Sequence, residues 1–329
     1  MTAATTPHSV LYPWIQRYLA LKTALGCHSQ SDAYVYRVLD RFLADCGSDL
    51  TAHSFAQWCH QQRHLKSGVR RQRMRLVRNL CLYRQRSEPA CFVPDRDLFP
   101  APHQPVRPYI FSDPEIIRLL RAAATLPPGA RSPLRAEVFQ LAIILLYTTG
   151  LRRGELLRLT IADYDSATQT LLVRASKFHK SRYLPLSAST ARAVDVYLDS
   201  RRRYHLPVTA ETALIGHQDG QPYSGGGFSQ TMRVLFQQAH IRTLEGRLPR
   251  VHDTRHAFAV NTLQRWYRRG DDVQAKLPLL ATYLGHVSIV STAYYLPLVE
   301  PLAAAASARF AARCAELLQP PRAAPGAAS

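Results

Sequence analysis

A chain of 329 residues is too long for one small domain and, at about 150 residues per domain, suggests two. Apolar residues make up 47% and charged residues 20%, enough for two ordinary cores, which excludes global disorder. Charge is the unusual quantity: 42 Lys and Arg against 23 Asp and Glu leave +19, so a polyanion is the first partner to consider and anionic lipid the second.

No run approaches ~18 uninterrupted apolar residues, so no membrane span is expected. The opening MTAATTPHSVLYPWIQRY lacks a basic start followed by an apolar stretch; it reads as no secretory signal and a cytoplasmic protein, nucleoid-associated if bacterial. Cys27, Cys46, Cys59, Cys81, Cys91 and Cys314 follow no repeating spacing. That favours reduced, buried thiols, although five in the first 91 residues would also suit disulfides. Cys59-His60-x-x-x-His64 lacks a paired C-x-x-C, and no metal is expected there.

Helical spacing recurs in YPWIQRYLALKTALG, SDAYVYRVLDRFLADCG and SFAQWCHQQRHL, then a basic segment runs to Arg86. These pieces predict an all-helical domain over 1–95. From Arg63 to Arg86 there are nine Lys or Arg and no acid, with Val69, Met74, Val77 and Leu80 spaced to pack one side. A solvated face would normally intersperse acids, so Lys66, Arg70, Arg71, Arg73, Arg75 and Arg78 read as phosphate-backbone contacts. A plain solvated face and a membrane surface are the alternatives. FVPDRDLFPAPHQPVRPYIF holds five prolines, which predicts a linker over 96–110.

Beyond it, SDPEIIRLLRAAATL opens a helix with Ser112, Pro114 and Glu115, and EVFQLAIILLYTTG reads as a buried helix ending at Gly150. TQTLLVRA and RYLPLS are β-rich around the polar turn SKFHKS, and helices return from SASTARAVDVYLDSRRRYH. The expected class is mainly α with a small antiparallel β-sheet (α+β). The second domain spans 111–312, followed by a tail over 313–329 that ends in the disordered-looking QPPRAAPGAAS.

Four separated pieces of the second domain carry reactive side chains. T-T-G-L-R-R-G-E-L-L (148–157) places Arg152 and Glu155 on one helix face after the turn at Gly150. S-K-F-H-K-S-R puts Lys177 at a hairpin tip. H-D-T-R-H (252–256) puts His252 and Arg255 on one face; its His252/His256 spacing is that of a zinc-protease helix, but Asp253 stands where that motif has glutamate. L-G-H-V-S-I-V-S-T-A-Y-Y (284–295) sets Tyr295 nine residues beyond His286. Taken singly, each piece has an ordinary structural reading: a surface Arg–Glu pair, or an exposed hairpin lysine. Together they contain what phosphodiester cleavage without metal requires. Two guanidiniums stabilise the pentacoordinate transition state, a general acid protonates the leaving oxygen, imidazoles manage the nucleophile's proton, and a phenol attacks.

This ordered set resembles the tyrosine recombinase/integrase family of phage integrases and Xer-type recombinases over residues 8–310. T-G-L-R-x-x-E-L, H-x-x-R-H and L-G-H with a tyrosine nine residues on are specific as a series. The resemblance implies a helical core-binding domain that holds DNA, a linker and a catalytic domain. It implies Arg152 and Arg255 as the arginine pair, Lys177 as the general acid, and His252 and His286 as the histidine positions. Tyr295 would form a 3′-phosphotyrosyl link, with Glu155 orienting Arg152. No cofactor, neither metal nor ATP, is implied; the partners are double-stranded DNA and further copies of the chain in a synaptic tetramer, with no membrane. Several features depart from the family. The turn is S-K-F-H-K-S-R where G-K-G-x-K-x-R is common, and Lys180 lies three residues from Lys177. Tyr294 abuts Tyr295, and R-W-Y-R-R-G-D-D-V-Q-A-K-L-P-L-L-A-T-Y before Gly285 is long. The Ala-rich run AAAASARFAARCAELL is expected to pack on its own domain or to reach a neighbouring protomer. A type IB topoisomerase and a non-catalytic DNA-binding protein of this fold are the alternative activities.

Overall fold

The computed structural model describes residues 8–27, 30–101, 107–174 and 181–298, and the chain divides into two compact units, 1–106 and 107–329. The first unit has four helices: α1 (Tyr12–Ala24), α2 (Gln30–Asp45), α3 (Ala52–Gln61) and α4 (Ser67–Arg84). Fully buried Trp58, Tyr36, Leu39 and Leu80 centre its core, as the helical spacing requires. Thr51 and Ser54 cap α3 reciprocally, satisfying two backbone donors at its start.

α4 buries Met74, Leu76, Val77, Leu80 and Cys81, whereas Val69 faces outward. Its basic residues divide by partner. Arg84 is buried and grips Asp49 with two hydrogen bonds of 2.7 Å and Glu88 with one of 2.6 Å. Arg71 donates from Nη1 to the Pro100 carbonyl at 2.6 Å, and Arg78 from Nη1 to the Pro94 carbonyl at 3.1 Å. Seven residues apart, these two lie about two turns along α4. They hold segment 94–100 against the helix in the opposite sense. Phe92, Val93 and Phe99 pack on the same core, and Arg96–Leu98 form a 3₁₀ turn. The part of the expected linker up to Pro100 is therefore fastened to the first unit, and Tyr109 and Ile110 pack on the core of the second.

In the second unit, α5 (Asp113–Ala124) starts with the Ser112/Glu115 capping box that its sequence specifies. It packs on α6 (Arg135–Thr149), which is buried on nearly every side through Val138, Phe139, Leu141, Ala142, Ile143, Leu145 and Leu146. α6 is apolar all round, so it forms the centre of the unit. Gly150 ends it at φ +62°; a Cβ there would stand 2.6 Å from Phe258 and 3.0 Å from Leu284. After the short α7 (Arg153–Leu156) come β1 (Tyr164–Asp165), β2 (Thr170–Val173) and β3 (Arg182–Pro185), a β1-β2-β3 antiparallel sheet. The β2–β3 register sets Leu171 opposite Leu184 and Val173 opposite Arg182.

α8 (Ala188–Arg203), α9 (Gly225–Gln238), α10 (Asp253–Arg268), α11 (Val273–Leu284) and α12 (Val290–Ala293) follow. The long stretch before Gly285 is a helix–turn–helix: α10 runs to Arg268, Gly270 turns at φ +74°, and Asp272 caps α11 by accepting from the Ala275 amide. A separate cluster of Val260, Leu263, Leu277, Leu280 and Leu284 between α10 and α11 encloses Tyr295. Among the described residues, no helix is long and apolar enough to cross a membrane.

Candidate active site

Glu155 is the hub of the site. Its residue surface is 3% exposed, and it meets three guanidiniums. Arg152, the residue before α7, donates its backbone N–H to Oε2 at 2.9 Å and Nη1 to Oε1 at 2.7 Å. Arg182 from β3 donates Nη1 to Oε1 at 3.2 Å and Nη2 to Oε2 at 3.0 Å. Arg255 lies 4.0 Å away. Burial opposes ionisation of Glu155, but Arg182 and then Arg152 outweigh it and pull the carboxyl down to about 2. Three cations against one carboxylate leave the site positive by two charges at neutral pH, which suits an anion.

The ends of α6 and α11 supply the remaining contacts. Arg255, 1% exposed, donates Nη1 to the Gly150 carbonyl at 2.8 Å and Nη2 to the Leu284 carbonyl at 2.7 Å. Arg152 reaches the Gly285 carbonyl at 3.2 Å, and Arg182 the Tyr283 carbonyl at 2.8 Å. Gly285 sits at φ +68° with Arg182 Nη1 only 2.9 Å from where a Cβ would be, so a side chain there collides with the guanidinium. Burial and then Arg152 lower the Arg255 pKa to about 10, which still leaves it charged at neutral pH.

Tyr295 is 3% exposed and Tyr294 46%, so the two neighbouring phenols have opposite environments. The Tyr295 hydroxyl is hydrogen-bonded to His256 Nδ1 at 3.1 Å. Its pKa is raised by burial, with Arg255 pulling the other way. His286 stacks beside Tyr295 with ring centroids 6.3 Å apart, its Nδ1 bonded to the hydroxyl of fully buried Thr292 at 2.8 Å. Burial and the nearby arginines, Arg255 first, push His286 to about 4. His252, just before α10, meets His256 edge to face at 4.8 Å. Desolvation and then Arg255 lower its pKa too. Asp253 accepts the Arg250 backbone N–H at 2.7 Å and its Nη2 at 2.8 Å, fixing the start of α10.

Arg152, Glu155, His252, Arg255, His286 and Tyr295 thus come together from three stretches of the chain, 152–155, 252–255 and 286–295, and Lys177 lies outside the described residues. Two members of the constellation were not singled out from the sequence. Arg182 is the last residue of S-K-F-H-K-S-R, two positions past Lys180, and His256 is the last of H-D-T-R-H. For His256 the available signal is its i+4 spacing from His252, which is also the spacing of a zinc-protease helix.

The phage integrase family model matches residues 112–300. A putative integrase/recombinase of Sinorhizobium fredii (strain NBRC 101917 / NGR234), y4rB, is 33% identical over 292 residues, 86% of this chain and 91% of that protein. The tyrosine recombinase XerC of Bacillus subtilis (strain 168) is 32% identical over 162 residues, 47% of this chain and 48% of that protein. Among solved structures, XerH recombinase bound to palindromic difH substrate in a post-cleavage complex aligns over 83% of this chain and 78% of its own, with TM-score 0.61 at 18% identity. The chain belongs to the phage integrase family of tyrosine recombinases. It is a recombinase enzyme with the mainly helical fold and small antiparallel sheet of that class.

Proposed function

We propose that this chain cleaves and rejoins double-stranded DNA at specific sites through a 3′-phosphotyrosyl intermediate on Tyr295. The observation that carries the reading is a buried phenol beside a pocket whose three guanidiniums exceed its one carboxylate. Arg152 and Arg255 present charge to the non-bridging oxygens, and Glu155 with Arg182 holds Arg152 in register. Preorganised cations of this kind stabilise the five-coordinate transition state without reorganising during the step. His252 and His286 border the same phosphate. Lys177 protonates the departing 5′-oxygen. The energy of the broken linkage is kept in the tyrosyl ester, so religation requires neither ATP nor metal. DNA complexes of family members such as XerH support the choice of partner.

The helical unit, residues 1–95, acts as the core-binding domain; 96–110 link it to the catalytic domain, 111–312, with 313–329 as tail. Protomers assemble as a synaptic tetramer on DNA in the cytoplasm. On the basic helix, Lys66, Arg70, Arg73 and Arg75 make backbone contacts, while Arg71 and Arg78 hold segment 94–100. This division has a measurable consequence. Each lost phosphate contact lowers the slope of log affinity against log salt by about 1. Lys66→Gln and Arg70→Gln are each expected to do so, whereas Arg78→Gln is expected to leave the slope unchanged and to speed hydrogen exchange at Asp95–Phe99. A slope change in Arg78→Gln equal to that in Lys66→Gln defeats this assignment.

Incubation with DNA nicked near the target junction, such as the flanks of the chain's own gene, tests the function directly. A covalent protein–DNA adduct is expected on a denaturing gel, attached through a 3′-phosphate and formed equally in EDTA. Failure of any DNA to form the adduct favours a non-catalytic DNA-binding protein; loss of the adduct in EDTA favours a metal mechanism.

A further inference from the structure

We propose that His256 is a further catalytic residue: its Nδ1 takes the phenolic proton of Tyr295 as the phosphotyrosyl bond forms and returns it on religation. The inference rests on Tyr295 being the nucleophile. Two histidines, His256 and His286, lie against the Tyr295 ring and a third, His252, lies behind His256; their contacts separate them. His286 commits Nδ1 to Thr292 and lies alongside the ring. His252 turns its ring toward His256. His256 is the one of the three hydrogen-bonded to the reacting oxygen, at 3.1 Å, and its position is fixed by α10, the helix that also carries Arg255. A proton acceptor must sit within hydrogen-bond reach of the proton it takes, and His256 meets that condition before substrate arrives.

The Tyr295 Oη–P bond forms, the Oη–H bond breaks, and the proton passes to Nδ1, leaving an imidazolium with Nε2 already protonated. The P–O5′ bond breaks, and its oxygen takes a proton from the general acid. On religation the 5′-hydroxyl returns its proton to the general acid as the P–O5′ bond forms, the Tyr295 Oη–P bond breaks, and His256 gives its proton back to the departing phenolate.

The groups facing His256 keep it neutral in the resting chain. Burial has the largest effect, then His252; Asp253 pulls the other way, Arg250 and Arg255 add to the lowering, and Tyr295 is its partner across the gap. The balance places it at about 4, so at neutral pH the ring is uncharged, and in its Nε2–H tautomer Nδ1 accepts from the phenol. The negative charge that the attacked phosphate gains raises its affinity for the proton during the step.

His256→Asn keeps a polar atom near the Nδ1 position but cannot accept a proton. Single-turnover cleavage of nicked DNA should slow roughly 10²-fold at pH 7 in this variant. The deficit should then shrink by about tenfold per pH unit as solvent hydroxide takes over the proton's removal. The wild-type rate should hold from neutral pH downward until His256 protonates near 4. In His256→Ala, added imidazole should restore cleavage, and pyrazole, of the same size but far less basic, should not. A deficit of equal size at every pH, or equal rescue by both azoles, means His256 only shapes the pocket and overturns the proposal. So does an Asn variant that cleaves at the wild-type rate. If wild-type protein forms no adduct, the recombinase reading itself falls; if the adduct forms but the pH-dependent defect is missing, this inference alone falls.

Discussion

Tyr295→Phe is expected to abolish the covalent adduct, a loss on the order of 10⁴-fold or more, while noncovalent DNA binding persists. The substitution removes one oxygen from a ring packed among Val260, Leu263, Leu280 and Leu284, so the cluster stays filled. The hydrogen bond to His256 is the chief structural loss, about 1 kcal/mol. Tyr294→Phe is the control. Its phenol is nearly half exposed and meets the Tyr295 ring edge to face at 5.6 Å without joining the buried cluster, so the adduct should form as in wild type. A labelled nicked duplex and a denaturing gel read both variants in one experiment. An adduct that survives in Tyr295→Phe and vanishes in Tyr294→Phe transfers the nucleophile to the neighbouring residue.

Glu155→Ala should be the most destabilising single change in the site. Removing the carboxylate leaves Arg152, Arg182 and Arg255 facing one another in a largely buried space. Loss of one partner from a buried ion pair costs about 3–5 kcal/mol, or a fall in Tm of roughly 10 °C for a unit of this size. The pH dependence has a definite sign. A carboxyl held at about 2 in the fold, against 4.5 when free, stabilises the chain by about 3 kcal/mol at neutral pH. That stability is fully present above 4.5 and is lost as the pH falls toward 2. Wild-type protein should therefore lose stability across this range more steeply than Glu155→Ala. DNA should partly rescue the variant, since a phosphate offers the arginines another anion. Equal acid sensitivity of the two proteins in thermal melts contradicts the hub role of Glu155.

The parts of this protein legible in the sequence are those governed by short-range pattern. Helix starts such as Ser112-Asp113-Pro114-Glu115 and the all-apolar α6 could be read directly, as could the order of T-G-L-R, H-x-x-R-H and L-G-H. What could not be read depends on contacts between distant segments. Arg71 and Arg78 belong to the same acid-free run as Lys66, and only the return of segment 94–100 distinguishes them. Arg182 joins Glu155 because the β2–β3 register delivers it there from 27 residues away. The bond between His256 and Tyr295 spans 39 residues and requires the chain leaving α12 to return to α10, where the turn at Leu296–Leu298 packs. No local periodicity carries such information.

The carbonyls that receive Arg255 have one further consequence. Gly150 and Leu284 close the C-terminal ends of α6 and α11, where aligned peptide dipoles leave roughly half a negative charge each. Together they amount to about one unit of negative charge aimed at a buried guanidinium. Much of the electrostatic cost of that cation is thus met by backbone rather than by Glu155. Because the backbone cannot be protonated, this share of the compensation does not vary with pH. It depends instead on two intact last turns. Fraying of α6 or α11 would weaken the hold on Arg255 with every reactive side chain unchanged, so substitutions at Gly150, which also crowd Phe258 and Leu284, and at Gly285 should cost more activity than their loss of stability alone accounts for.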